Sequence, residues 1–98
     1  MDYQIEFSSA SERQLSQLTA RDRSIILETV EQQLAHEPEM PTRHCKLLRE
    51  TPLADWELRV GEYRVFYDVD SDQGVVMILA VGAKSHNVLW IEGKESHL

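Results

Sequence analysis

The run Asp55–Val69, Asp-Trp-Glu-Leu-Arg-Val-Gly-Glu-Tyr-Arg-Val-Phe-Tyr-Asp-Val, constrains the fold more than any other part of the chain. Side chains alternate on both sides of Gly61-Glu62, and Gly at the first central position of a two-residue loop marks a type II′ hairpin. That turn sets a register in which Val60 faces Tyr63, Arg59 faces Arg64, Leu58 faces Val65, Glu57 faces Phe66, Trp56 faces Tyr67 and Asp55 faces Asp68. The strand period of two then sends Trp56, Leu58, Val60, Tyr63, Val65, Tyr67 and Val69 to one face, which must be a core face. Asp55, Glu57, Arg59, Arg64, Phe66 and Asp68 fall on the other. On that second face like charges oppose each other, Arg59 to Arg64 and Asp55 to Asp68, which weakens a strand pair. Two readings of it stay open. In one, the long Arg side chains splay into solvent and pair diagonally with Glu57 or Glu62, each surface pair worth roughly 0–1 kcal/mol. In the other, the face binds an anion on rigid strands.

The remaining segments supply what this hairpin packs against. Tyr3, Ile5 and Phe7 alternate with Gln4 and Glu6, as in a short strand with one apolar face. Ser9 followed by Glu12 reads as a capping box opening a short helix with Leu15 and Leu18 inward, and Thr19 followed by Asp22 repeats the signal. The second helix is predicted from about Ala20 to His36, with Ile26, Val30 and Leu34 at helical spacing, and Pro38 and Pro41 stop it. His44–Arg49 reads as a connector or edge strand anchored by Leu47 and Leu48, and Glu50–Ala54 as a loop. Asp70–Gly74 is a polar turn. Val75–Val81 is apolar throughout, as a central strand covered on both faces would be, and Gly82 is expected to end it. Val88-Leu89-Trp90-Ile91 is a fifth strand, a partner-binding edge or a dimer contact. The order argues an α+β fold in a single domain over residues 1–98. An N-terminal strand and a two-helix hairpin pack on a mostly antiparallel sheet of roughly three to five strands.

Charge and composition narrow the function. The formal net charge of −7 disfavours a protein that grips nucleic acid broadly, so any such contact must come from a local cluster of cations. No apolar run approaches the roughly 18–20 residues of a membrane span, and no signal-peptide pattern opens the chain, so a cytoplasmic protein without a membrane partner is expected. Cys45 alone offers neither a disulfide nor a zinc spacing. With His36, His44, His86 and His97 scattered, no metal site and no cofactor are expected. Cys45 is read as a small packed residue.

The motif Trp56-x-Leu58-Arg59-Val60-Gly61-x-Tyr63-Arg64-Val65-x-Tyr67, followed by Leu79-Ala80-Val81-Gly82, resembles the RelE/ParE toxin superfamily of bacterial type II toxin–antitoxin modules, over nearly the whole chain. RelE-like members cut messenger RNA in the ribosomal A site without a metal, by attack of a 2′-hydroxyl on the adjacent phosphate; ParE-like members poison DNA gyrase. The resemblance implies Arg64, Arg59 and Lys84 as catalytic phosphate clamps. It also marks departures. Asp55 and Glu57 stand where the ribonuclease members bring two lysines, and Trp90 stands at the position of a C-terminal tyrosine. Carboxylates there would repel the charge that builds on a phosphorane. Lys46, His44, His86 and Trp90 are the substitute substrate-binding groups. His44 and His86 are read either as an acid–base pair or as exposed loop histidines. The implied function is the toxin of a type II module, inhibiting translation by ribosome-dependent mRNA cleavage. The alternative is a non-nuclease member: a gyrase-directed toxin, or an antitoxin-binding or dimerising module. The implied partners are a cognate antitoxin, the ribosome with mRNA, and a second copy of the chain. Because the chain is acidic, the antitoxin's wrapping segment is expected to be less acidic than usual or to bind through apolar anchors.

Overall fold

In a computed structural model residues 2–49 and 51–96 are described; His97 and Glu50 lie outside them. Strand β1 (Gln4–Phe7) leads into helices α1 (Ser9–Ser16) and α2 (Ala20–Leu34). Strands β2 (Cys45–Leu47), β3 (Trp56–Val60), β4 (Tyr63–Asp70), β5 (Val75–Ser85), β6 (Val88–Ile91) and β7 (Lys94–Ser96) follow. They form one sheet in the order β2-β3-β4-β5-β6-β7, antiparallel throughout, and β1 pairs parallel to the first half of β5. Among the described residues no helix is long and apolar enough to cross a membrane.

The central hairpin has the register its turn demands. Arg59 pairs with Arg64, Leu58 with Val65 and Trp56 with Tyr67. Gly61 has φ 59° while Glu62 stays out of the left-handed region, the backbone of a II′ turn. Asp55 and Asp68 escape repulsion because the Asp55 amide N–H donates to Asp68 Oδ1 at 2.7 Å. Between Ala80 and Ile78, which pair with the consecutive residues Phe66 and Tyr67, Leu79 is left over as a bulge. It lets Tyr67 meet Ile78 on the helix side and Phe66 meet Ala80 on the other.

The two faces carry separate clusters. On the helix side Leu15, Ile26, Val30 and Leu34 pack on Trp56, Leu58, Val65, Tyr67, Val76 and Ile78, with Cys45 buried among them. The Trp56 and Tyr67 rings stack with centroids 6.2 Å apart, and the Tyr67 hydroxyl donates to the Pro38 carbonyl at 2.7 Å. On the far side Phe66 is 0% exposed under Ala54, Ala80 and Leu89, flanked by Leu48, Leu53, Leu79 and Ile91. β5 is therefore covered on both faces, as its unbroken apolar run requires.

Four local expectations are corrected. The first helix is capped by Ser8, whose Oγ accepts from the Ser11 N–H at 3.1 Å, not by Ser9. The second ends at Leu34, two residues short of His36. Among the described residues the sheet has seven strands because the tail folds into two further hairpins, turning at His86-Asn87 (φ 51° and 66°) and Glu92-Gly93 (φ 53° and 75°). Gly82 lies inside β5 rather than at its end. A Cβ there would sit 2.7 Å from the Trp90 carbonyl oxygen and 2.8 Å from Ile91 Cγ1, so glycine is what lets β6 lie close.

Candidate functional site

The strands place cations in rows on the face away from the helices. The Arg59 N–H donates to the His44 carbonyl at 2.7 Å, so the antiparallel pairing of β2 with β3 continues one step beyond Cys45–Leu58. His44, Arg59, Arg64 and Gly82 then stand in line across β2, β3, β4 and β5. Lys84 lies two residues along β5 from Gly82, on the same face, and its N–H donates to the Glu62 carbonyl at 2.8 Å. That makes it the diagonal neighbour of Arg64, about 7–8 Å away between backbones. Lys46 pairs with Glu57 in the adjacent row.

Arg64 is the fixed point of this group. It is 8% exposed, and its Nη1 donates to the carbonyls of Gly61 and Tyr63, each at 2.9 Å. A guanidinium has five N–H donors, and these two bonds use only Nη1. Burial pulls its pKa below the ordinary arginine value, Arg59 pulls it down further, and Glu57 opposes them. Arg59 is exposed. The pair is thus one buried, bonded cation and one exposed cation opposite each other on the hairpin; Gly82 follows on β5, covered by the Trp90 carbonyl and the Ile91 and Leu89 side chains. Two cations opposed in this way can hold an anion, and His44 stands next to Arg59 in the same row.

Two predicted site residues are placed elsewhere. Trp90 pairs with Ala83, and Ala83 with Tyr63, so the Trp90 ring stands on the helix side, behind the sheet from the arginines. His86 occupies the β5–β6 turn, while His44 immediately precedes β2, three strand spacings or about 14 Å across the sheet. The two histidines do not meet, which removes them as an acid–base pair.

A set of residues with no part in the sequence reading closes the open edge of β5. β1 pairs with it only as far as Ile78, and its pairing with β6 begins at Ala83. Side chains of α1 and its cap fill the gap. Ser11 Oγ donates to the Ile78 carbonyl at 3.0 Å, Ser8 Oγ donates to the Leu79 carbonyl at 3.0 Å, and Gln14 Oε1 accepts from the Val81 N–H at 2.7 Å. The signal was polar side chains at three-residue intervals, Ser8, Ser11 and Gln14, on a helix face that the sequence places inward. Farther along, Arg13 Nε lies 2.6 Å from Glu92 Oε1 and ties α1 to the β6–β7 turn. The pair lowers the Glu92 pKa and raises that of Arg13.

Over residues 5–88 the sequence matches the family described as ParE toxin of type II toxin-antitoxin system, parDE. The chain belongs to the RelE/ParE toxin superfamily. Solved structures agree. This toxin-family chain is similar to a chain of the toxin–antitoxin complex RelBE2 from Mycobacterium tuberculosis, with TM-score 0.72 and 28% identity over 86% of this chain and 100% of that one. It is similar to a chain of the archaeal RelE–RelB complex from Pyrococcus horikoshii, with TM-score 0.71 and 25% identity over 88% and 99%. A mutant of the Escherichia coli toxin RelE in the free state shares the fold, with TM-score 0.66 and 23% identity over 85% and 84%. Among curated proteins none gives a significant match. The family match ends at the start of β6, so the β6–β7 hairpin lies beyond it.

Proposed function

We propose that this chain is the toxin of a type II module, held inactive in the cytoplasm by a cognate antitoxin, and that once freed it cleaves messenger RNA on the ribosome. The observation that carries the reading is Arg59 directly opposite Arg64, with Arg64 pinned by two backbone carbonyls and Lys84 diagonal to it. Such a seat suits a phosphodiester whose charge grows as the reaction proceeds. In the cleavage, a bond forms between the 2′-oxygen and phosphorus while the bond from phosphorus to the 5′-oxygen breaks. The 2′-hydroxyl proton goes to a base and the leaving oxygen takes a proton. Arg59, Arg64 and Lys84 stabilise the phosphorane. His44, beside Arg59, moves a proton, and Lys46 contacts the flanking backbone. Antitoxin partnership is supported by the RelBE2 and RelE–RelB complexes among the similar structures.

A second reading has its own support. Glu57 stands on the cationic face and Trp90 is behind the sheet, which favours a member that inhibits gyrase or only binds its antitoxin. Expression in growing cells separates the two. Wild type should arrest growth with new messenger RNA ends inside open reading frames, and Arg59→Ala should abolish both. Arrest by wild type without new ends, together with a loss of DNA supercoiling, would select the gyrase reading.

A further inference from the structure

On the helix side, behind the cationic face, two aromatic rings flank an alanine. Tyr63, Ala83 and Trp90 pair in a line across β4, β5 and β6. The rings therefore start two strand spacings apart, about 9–10 Å, and two faces stacked on either side of a flat ring need about 7 Å, twice the roughly 3.5 Å carbon contact distance. The structure holds a cavity of about 250 Å³ there, with Val81 and Ala83 at its floor and Leu18 and Gln14 on the α1 side. Trp90 is 40% exposed, although it is the largest side chain on β6. The slot is sized for one ring.

The charges at its rim decide what kind of ring. The Tyr63 hydroxyl donates to Asp22 Oδ2 at 2.6 Å, and Glu62 precedes Tyr63 in the chain. Glu92 lines the slot and Glu95 pairs directly with Trp90. Arg13 is bonded to Glu92 and Lys94 also acts on it, so the acids that set the sign of the slot are Asp22 and Glu62 at the Tyr63 wall. The Tyr63 pKa is pushed up to about 12, first by its bond to Asp22 and then by burial, with the charges of Asp22 and Glu62 adding to it, so the field at that wall is negative. A nucleobase arriving with its phosphates meets repulsion here. An aromatic side chain flanked by lysine or arginine meets attraction, and an indole face also attracts a neighbouring cation.

We propose that the Tyr63–Ala83–Trp90 slot is a docking site for a partner protein segment that presents one aromatic side chain between basic residues. Under the antitoxin reading above, on which the partner's name but not the slot's chemistry rests, that segment belongs to the antitoxin.

The test uses the full chain and two acetylated, amidated pentapeptides, Gly-Lys-Phe-Lys-Gly and Gly-Glu-Phe-Glu-Gly. The protein has two tryptophans, so its indole N–H region in a proton–nitrogen correlation spectrum carries one probe peak in the slot, from Trp90, and one control peak in the core, from Trp56. The lysine peptide should move the Trp90 peak saturably, at least fivefold more tightly than the glutamate peptide, and leave Trp56 in place. Ala83→Leu, which fills the slot, and Trp90→Leu should each cut that binding at least fivefold, read on the Ala83 and Tyr63 backbone amides, while Arg59→Ala should leave it unchanged. Absence of messenger RNA cleavage by wild type that still binds the lysine peptide would fail the enzyme reading alone. Equal binding of both peptides, no shift at all, survival of binding in Ala83→Leu, or a Trp90 shift produced instead by a short oligouridylate would overturn the proposal.

Discussion

Arg59 stands directly opposite Arg64 on a rigid hairpin, and the two are held there by different means. Arg64 is buried and bonded to the carbonyls of Gly61 and Tyr63; Arg59 is exposed on the neighbouring strand. A like-charged cross-strand pair opposes folding, so its two members should respond to substitution with opposite signs.

Arg59→Gln removes the repulsion and should leave stability unchanged or raise it by up to about 1 kcal/mol. Arg64→Gln strips two carbonyls of a charged donor and should cost about 1.5–3 kcal/mol. Urea unfolding of the two variants beside wild type checks this. A larger loss from Arg59→Gln than from Arg64→Gln would show that Arg59 is the structural member.

The bond from Tyr63 to Asp22 ties the hairpin turn to α2. Because the folded-state Tyr63 pKa is raised to about 12 from its ordinary value of about 10, the folded state retains a proton that the unfolded state loses. The stabilisation is complete below pH 10 and lost as pH climbs towards 12. Tyr63→Phe should lower stability by about 1 kcal/mol at neutral pH and flatten the alkaline decline above pH 10. Unfolding midpoints measured from pH 8 to pH 12 decide it; an unchanged alkaline slope in Tyr63→Phe would assign the decline to other groups.

Gln14 closes the β5 edge by accepting from the buried Val81 N–H. Gln14→Leu leaves that donor without a partner and should cost about 1–3 kcal/mol, with faster hydrogen exchange at the Val81 amide. Gln14→Glu keeps the acceptor but sets a second carboxylate against Glu92, which Gln14 also hydrogen-bonds, so its loss should be large at neutral pH and shrink as the carboxylates protonate on acidification. A loss in Gln14→Leu without faster exchange at the Val81 amide would mean that packing, not the bond, holds the edge.

Gly82 is where β6 crosses close to β5. Gly82→Ala places a Cβ within 2.7 Å of the Trp90 carbonyl and should cost about 1–3 kcal/mol by overpacking. Exchange protection should be lost selectively over β6 and β7 and kept in β3 and β4. Uniform loss would show that the tail is not a separable unit.

The central hairpin was legible because its alternation and its Gly61 turn allow one register only, and register plus period put Arg59 and Arg64 on a common face; Lys84 came from the family resemblance alone. The tail was not legible for the converse reason. Its turns use His86 and Glu92 at positive φ, where Gly or Asn is the usual signal, and β7 is three polar and charged residues. Without the turn the register of β6 is open, and a one-residue change moves Trp90 from one face to the other. The Ser8 cap was displaced by one residue for a similar reason: Ser8 and Ser9 carry the same local signal, and the bond from Ser8 to the Leu79 carbonyl, distant in sequence, goes with the choice.

The measurement that bears most directly on the account is cleavage of a defined messenger RNA by the purified, antitoxin-free chain in a reconstituted translation mixture, with Arg59→Ala alongside. Arg59→Ala is the cleaner comparison because Arg59 is exposed, whereas Arg64 is buried and bonded to two backbone carbonyls. The account predicts cuts at the codon in the ribosomal A site by wild type and at least a tenfold slower rate for Arg59→Ala with its unfolding midpoint preserved. Absence of cuts from folded wild type, or equal cutting by Arg59→Ala, would contradict a catalytic role for the Arg59–Arg64 row.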